Sequence, residues 1–247
     1  MGLGPLALGL RPDTASMDFL SALNPAQQAA VLHTDGPLLI LAGAGSGKTR
    51  VITCRIAHMI ASGLAKPWQV LAVTFTNKAA DEMRGRVEQL VGEDCRQIWL
   101  STFHAMSARI LRREAAAIGL ERNFVIYDTS DQLAVVRQAM KALGIDDKLV
   151  PPRAALARIS QAKNRMESPR DIGSDGSNFR EERIGRIYEL YLRTLTEAGA
   201  LDFDDLLLKT VDLIETSEKT REIYARKFKY ILVDEYQDTN GPQYEIV

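Results

Sequence analysis

The stretch LLILAGAGSGKTR, Leu38 to Arg50, restricts this chain more than any other. Its apolar run does not alternate, so Leu38 to Leu41 is read as a strand buried on both faces. Glycines interrupt it, and from Lys48 to about Ser62 the residues Val51, Ile52, Ile56, Met59 and Ile60 fall on one helical stripe. The scheme then repeats: VLAVTFT reads as a strand, NKAADEMRGRVEQLV as a helix and QIWLSTF as another strand. Strands alternating with helices argue for an α/β fold with a parallel sheet.

The turn between strand and helix carries its own chemistry. It follows the pattern G-x-x-x-x-G-K-[ST], with Ala42 where the first glycine usually stands, Gly47 as the second, then Lys48 and Thr49. Gly43, Gly45 and Gly47 allow positive φ and close approach. Backbone N–H groups along Ala42, Gly43, Ala44, Gly45, Ser46 and Gly47 can therefore surround phosphate oxygens at the positive end of the following helix. Lys48 can reach the outer phosphates, and Thr49 can bind Mg²⁺. A second strand, FKYILVDE, ends in two carboxylates at the sheet edge where α/β ligands bind. Asp234 is read as the Mg²⁺ partner, acting through water, and Glu235 as the group that orients and deprotonates an attacking water. Adjacent metal and base positions favour hydrolysis over transfer to a second substrate.

Lys48 and Asp234 lie much farther apart than the ~30 residues of one βαβ unit, so an insert is expected. Helical signals dominate from about His104 to about Asp212, including TSDQLAVVRQAMKALG with a possible Thr129/Gln132 capping box. The organisation expected is a sheet domain over 17–103 and 213–247, a helical subdomain over 104–212, and a disordered extension over 1–16. Asn24 before Pro25 signals a short helix through about His33.

Composition removes several alternatives. With Lys+Arg 31 against Asp+Glu 32, nucleic-acid contact would need a local patch. The basic cluster Arg153, Arg158, Lys163, Arg165 and Arg170 is one candidate, read either as a solvated helix face or as a duplex-contacting surface. Two cysteines, Cys54 and Cys95, form no CxxC pair and read as buried thiols in a reducing compartment. No segment reaches the ~20 apolar residues of a membrane helix, and no secretory signal is evident, so a soluble cytoplasmic protein without a membrane partner is expected.

LNPAQQAAV, AGAGSGKTR, AVTFTNKAADEM, STFH, LDFDDLL and ILVDEYQDTN occur in the order found in superfamily 1A DNA helicases, which the chain resembles from about Phe19 to Val247. The resemblance is to the UvrD/PcrA/Rep family. It implies a RecA-like P-loop motor domain with an inserted helical subdomain, ATP and Mg²⁺, and 3'-to-5' movement on single-stranded DNA and its junctions with duplex, in repair or replication. By resemblance Gln27 reads the adenine edge and Arg50 stacks on the base. Phe75 matches an aromatic that contacts a DNA base, with core packing as its alternative. Thr76, Asn77, Thr102 and His104 would hydrogen-bond the strand, and Gln237 and Asp238 would couple the nucleotide site to a second motor domain.

The family pattern continues past the VDEYQDTN segment to a second RecA-like domain and the arginines that complete the ATP site. A chain ending at Val247 is therefore expected to hydrolyse ATP very slowly by itself. Two readings follow: the N-terminal part of an ATP-dependent helicase, or a stand-alone ATP- and DNA-binding protein that cannot unwind duplex. TFTNKAA, STFH and the lack of an LSGGQ segment disfavour a kinase or ABC-type ATPase.

Overall fold

A computed structural model of the chain describes residues 19–43, 45–172 and 178–247. The extension expected over 1–16 lies outside them. The chain divides into two compact units, one of residues up to Thr102 with Lys227–Asp234, the other of Phe103–Arg226 with Glu235–Val247.

The first unit is built on a three-stranded parallel sheet. Helix α1 (Pro25–Leu32) starts at Asn24, whose side chain accepts from the Gln27 N–H while the Gln27 side chain accepts from the Asn24 N–H. Such a cap is worth about 1 kcal/mol. Helix α2 (Lys48–Ala61) follows the glycine loop. Then come β1 (Val70–Thr74), α3 (Asn77–Val91) and β2 (Trp99–Thr102). All five residues of β1 are buried, as a strand covered on both faces requires. Ile52, Ile56 and Met59 of α2 and Met83 and Val87 of α3 pack with Val70, Ala72 and Leu100 into one core. The spacing of these helical residues is the i, i+3, i+4, i+7 pattern that leaves the opposite helix face to solvent.

The second unit begins with α4 (Phe103–Glu114), β3 (Val125–Ile126), α5 (Thr129–Ala142), α6 (Pro152–Asn164) and α7 (Phe179–Glu197). It continues through β4 (Ala200–Leu201), α8 (Phe203–Thr216) and α9 (Glu218–Lys227), and ends with α10 (Gly241–Ile246). Strand β5 (Tyr230–Val233) lies between α9 and α10 and belongs to the first unit, where the sheet order is β2-β1-β5. The helical core joins Val136, Met140, Ile159, Ile187 and Tyr191, and β3 pairs with β4 in a two-stranded parallel ladder.

Three expectations need correction. Leu38 to Leu41 is not a strand and is not buried: Leu39 is 65% and Leu41 86% exposed. An apolar run becomes a strand only when a neighbour accepts its backbone hydrogen bonds. Among the described residues β5 pairs with β1 alone, and no strand pairs with 38–41. The boundary expected at 212/213 falls inside α8, a continuous helix whose buried Leu206, Leu207, Val211 and Leu213 form one face across that point. The cap of α5 is Asp128 with Asp131 rather than Thr129 with Gln132, because the Asp128 carboxylate accepts from both the Ser130 and Asp131 N–H groups.

The basic cluster is also divided. Lys163 is fully buried; its ammonium donates to Asp202 Oδ2 and Asp205 Oδ1, each at 2.6 Å, and Tyr191 Oη donates to Asp202 at 2.7 Å. Arg158 is paired with Glu181 at 2.8 Å and Glu167 at 3.1 Å. Two of the five cations, Lys163 and Arg158, are thus spent on ion pairs within the helical unit, and Arg153, Arg165 and Arg170 remain exposed. Burial tends to raise the Asp202 carboxyl, but Lys163 overrides it and holds that group below the ordinary carboxylate range, while burial raises Asp205. We predict that Lys163→Met, which leaves two buried carboxyls without their cation, destabilises the helical unit by about 3 to 5 kcal/mol. Denaturant unfolding measures this, and an unchanged midpoint would contradict a structural role.

Candidate active site

The glycine loop closes on itself through its own polar groups. Gly45 (φ 74°) and Gly47 (φ 89°) are left-handed, so the chain reverses around Ser46 in a way other residues would resist. Ser46 Oγ donates to the Gly43 carbonyl at 2.7 Å, and its N–H donates to the same oxygen at 3.3 Å. Gly47 is the N-cap of α2, and no side chain caps that helix end. The first-turn N–H groups of α2 are therefore available to an anionic ligand. Ala42 and Gly43 are exposed, and Ala44 lies outside the described residues.

Gln27 reaches this loop from α1. Its Nε2 donates to the Ser46 carbonyl at 3.0 Å and would stand 3.0 Å from a Cβ placed on Gly47, so glycine is required there on two counts. Lys48 lies over the loop, its Nζ donating to the carbonyls of Ala42 at 3.2 Å and Gly43 at 3.4 Å. Arg50 is exposed on the first turn of α2, and burial raises the thiol of Cys54 one turn further on, with the Arg50 charge opposing.

The two distant sequence motifs meet at Thr49, whose Oγ1 donates to Asp234 Oδ2 at 3.2 Å. Parallel pairing accounts for this meeting. Val73 of β1 lies opposite Val233 of β5, and the Asp234 N–H extends the ladder by donating to the Val73 carbonyl at 3.0 Å. Asp234 is 5% exposed, so its carboxylate is withdrawn from bulk water beside a hydroxyl. That donor set is all oxygen, the chemistry Mg²⁺ selects. Among the described residues no three His, Cys, Asp or Glu side chains converge into a metal-binding group.

The expected DNA residues divide between the units. Phe75 directly follows β1 and is half-buried. Thr76 caps α3, its Oγ1 accepting from the Ala79 N–H at 3.1 Å, and Asn77 is exposed on the first turn. Thr102 ends β2 opposite Thr74 and is buried. Phe75, Thr102 and Asp234 therefore stand at the carboxyl edge of one parallel sheet. His104 lies on the first turn of α4 in the helical unit, half-buried, with its ring edge-on to Phe203 at 6.1 Å between centroids. Burial lowers its pKa, with Asp204 opposing, so the imidazole is neutral at pH 7 and can both donate and accept.

Glu235 is the first residue of the second unit's final segment and has a left-handed backbone, φ 53° and ψ 46°. Gln237 Nε2 donates to the Glu235 carboxylate and to Asp238 Oδ2, the latter at 3.3 Å, within the 3-10 turn Tyr236–Asp238. Sequence reasoning gave no roles to Asp202, Asp204 and Asp205 of LDFDDLL. Three acids at a helix start, two of them spaced i, i+3, were the available signal.

Residues 23–247 match the UvrD/REP helicase N-terminal domain, and the chain belongs to that family. It is 50% identical over 225 residues to the ATP-dependent DNA helicase PcrA of Staphylococcus epidermidis, covering 91% of this chain and 31% of the relative. Against the ATP-dependent DNA helicase PcrA of Bacillus subtilis it is 49% identical over 232 residues, or 94% of this chain and 31% of the relative. The chain thus spans about a third of the length of the curated relatives it matches. Among the described residues no helix is long and apolar enough to cross a membrane.

Proposed function

We propose that this chain is the nucleotide-binding N-terminal part of an ATP-dependent DNA helicase that moves 3'-to-5' along single-stranded DNA, in repair or replication. The observation that carries the reading is the Thr49–Asp234 contact at 3.2 Å, which joins the glycine loop to the acidic strand end. The sheet edge bearing that contact also carries Phe75 and Thr102.

In this reading the loop N–H groups and Lys48 hold the phosphates, Gln27 recognises the adenine edge and Arg50 stacks on the base. Thr49 and Asp234 would hold Mg²⁺, which when bound neutralises phosphate charge. Glu235 takes a proton from the water whose oxygen attacks the terminal phosphorus, as ADP departs. Phe75 stacks on a base, Thr76, Asn77, Thr102 and His104 hydrogen-bond the strand, and Gln237 and Asp238 relay the nucleotide state to a second motor domain.

The test is ATPase of the intact protein with and without single-stranded DNA, paired with unwinding of duplexes carrying a 3' or a 5' tail. Expected are DNA-stimulated hydrolysis and unwinding from the 3' tail. Unwinding from the 5' tail alone would overturn the polarity, and hydrolysis indifferent to DNA would overturn the motor.

Stacking is worth ~1 to 3 kcal/mol per base, so Phe75→Ala should weaken single-strand binding by about 5- to 150-fold while nucleotide binding survives. Titration of a labelled oligonucleotide checks this. Unchanged affinity in a folded variant would return Phe75 to ordinary packing.

A further inference from the structure

Among the described residues only two non-glycines have left-handed backbones, Glu235 (φ 53°) and Met166 (φ 59°). Both flank one chain of polar side chains within the helical unit. Asn240, five residues after Glu235, donates through Nδ2 to Asn164 Oδ1 at the end of α6. Asn164 Nδ2 donates in turn to the Ser160 carbonyl at 2.8 Å and to Asp204 Oδ1 at 3.4 Å. Ser160 Oγ donates to the other oxygen of Asp204 at 2.6 Å. Asp204 in turn acts electrostatically on His104, whose ring rests against the adjacent Phe203.

The packing around this chain is tight. A Cβ on Gly241 would come within 3.0 Å of the Asn164 carbonyl and 3.7 Å of Met166 Cγ. Between Glu235 and Asn240 the backbone is held by the Asp238 N–H donating to the Glu235 carbonyl at 2.9 Å and the Thr239 N–H donating to the Tyr236 carbonyl at 3.2 Å. A displacement of Asn240 therefore has little slack in which to dissipate before it reaches Glu235.

We propose that Asn164 is a positioning residue that ties the His104 segment to the Glu235–Asn240 segment, so that strand binding at one raises hydrolysis at the other. This rests on the roles proposed above for His104 and Glu235. Asparagine suits the task because one amide offers a donor toward Asp204 and an acceptor toward Asn240 at the same time. Asn164 is itself assigned neither to the nucleotide site nor to the DNA strand.

The experiment compares wild type, Asn164→Ala, Asn240→Ala and the double variant in the intact protein. Basal ATPase, DNA-stimulated ATPase and single-strand affinity are measured, and thermal unfolding establishes that each variant is folded. Expected is a loss of DNA-stimulated kcat of about tenfold in each single variant, within the range of couplings between two ligand sites, with basal turnover and DNA affinity unchanged. The double variant should lose no more than either single one, because both remove the same link. Normal stimulation of Asn164→Ala would overturn the proposal. So would equal losses of basal and stimulated turnover, or additive losses in the double variant. If Asn164→Ala does not fold, Asn240→Ala alone decides, and normal stimulation of that variant overturns the link. Wild type that is not stimulated by DNA would sink the motor reading and this link together, whereas a stimulated wild type and an equally stimulated variant sink the link alone.

Discussion

Replacing Glu235 by glutamine in the intact protein is expected to lower kcat for ATP hydrolysis by about 10²- to 10⁴-fold, the span of a positioned general base. Nucleotide affinity should stay near wild type, because the exchange keeps the side chain's size and leaves the phosphate-holding loop untouched. The structural grounds lie in the backbone. Glu235 occupies a left-handed conformation that costs on the order of 1 to 3 kcal/mol for a non-glycine, a strain that recurs where a side chain must be presented at a functional site. Gln237 donates to its carboxylate, which fixes the side chain's orientation. Single-turnover hydrolysis measured beside equilibrium nucleotide binding separates the two effects. Wild-type DNA-stimulated ATPase in Glu235→Gln would show that the assigned role is wrong.

Lys48→Ala should be comparably damaging by a different route. Removing one preorganised donor from a charged transition state costs about 10²- to 10³-fold in kcat, and here nucleotide affinity should fall as well. The ammonium donates to the Ala42 and Gly43 carbonyls, so it is held over the loop rather than swinging free on its four-carbon stem. Arginine is a poor substitute, because a planar fork cannot place a compact charge at the same point. The measurement is again single-turnover hydrolysis with nucleotide titration. Retention of both activities would remove Lys48 from the phosphate site. A loss of kcat with binding preserved would point to a lysine that acts only in the transition state.

These outcomes bear on how much was legible beforehand. The Asn24 cap, the stripe of α2, the strand read over VLAVTFT and the helix read over NKAADEMRGRVEQLV are local properties, set by side-chain period and capping chemistry, and each emerged where the residues indicated. Leu38 to Leu41 did not become a strand, because apolar character specifies burial but cannot supply the backbone partner that a strand needs. Lys163 looked like surface charge for the complementary reason. Its neutralising Asp202 and Asp205 lie some 40 residues away, and no local pattern links them.

The sequence by itself determined the loop that can cradle phosphate, the acids that could serve it and the family to which the chain belongs, because these rest on residue type, order and short spacing. Only the tertiary structure decided that Thr49 meets Asp234, that Lys163 is buried and that Asn164 links Asp204 to Asn240. Contacts of that kind depend on strand register and helix packing between residues far apart in the chain, where the energy of one pairing over another is set by the whole assembled core.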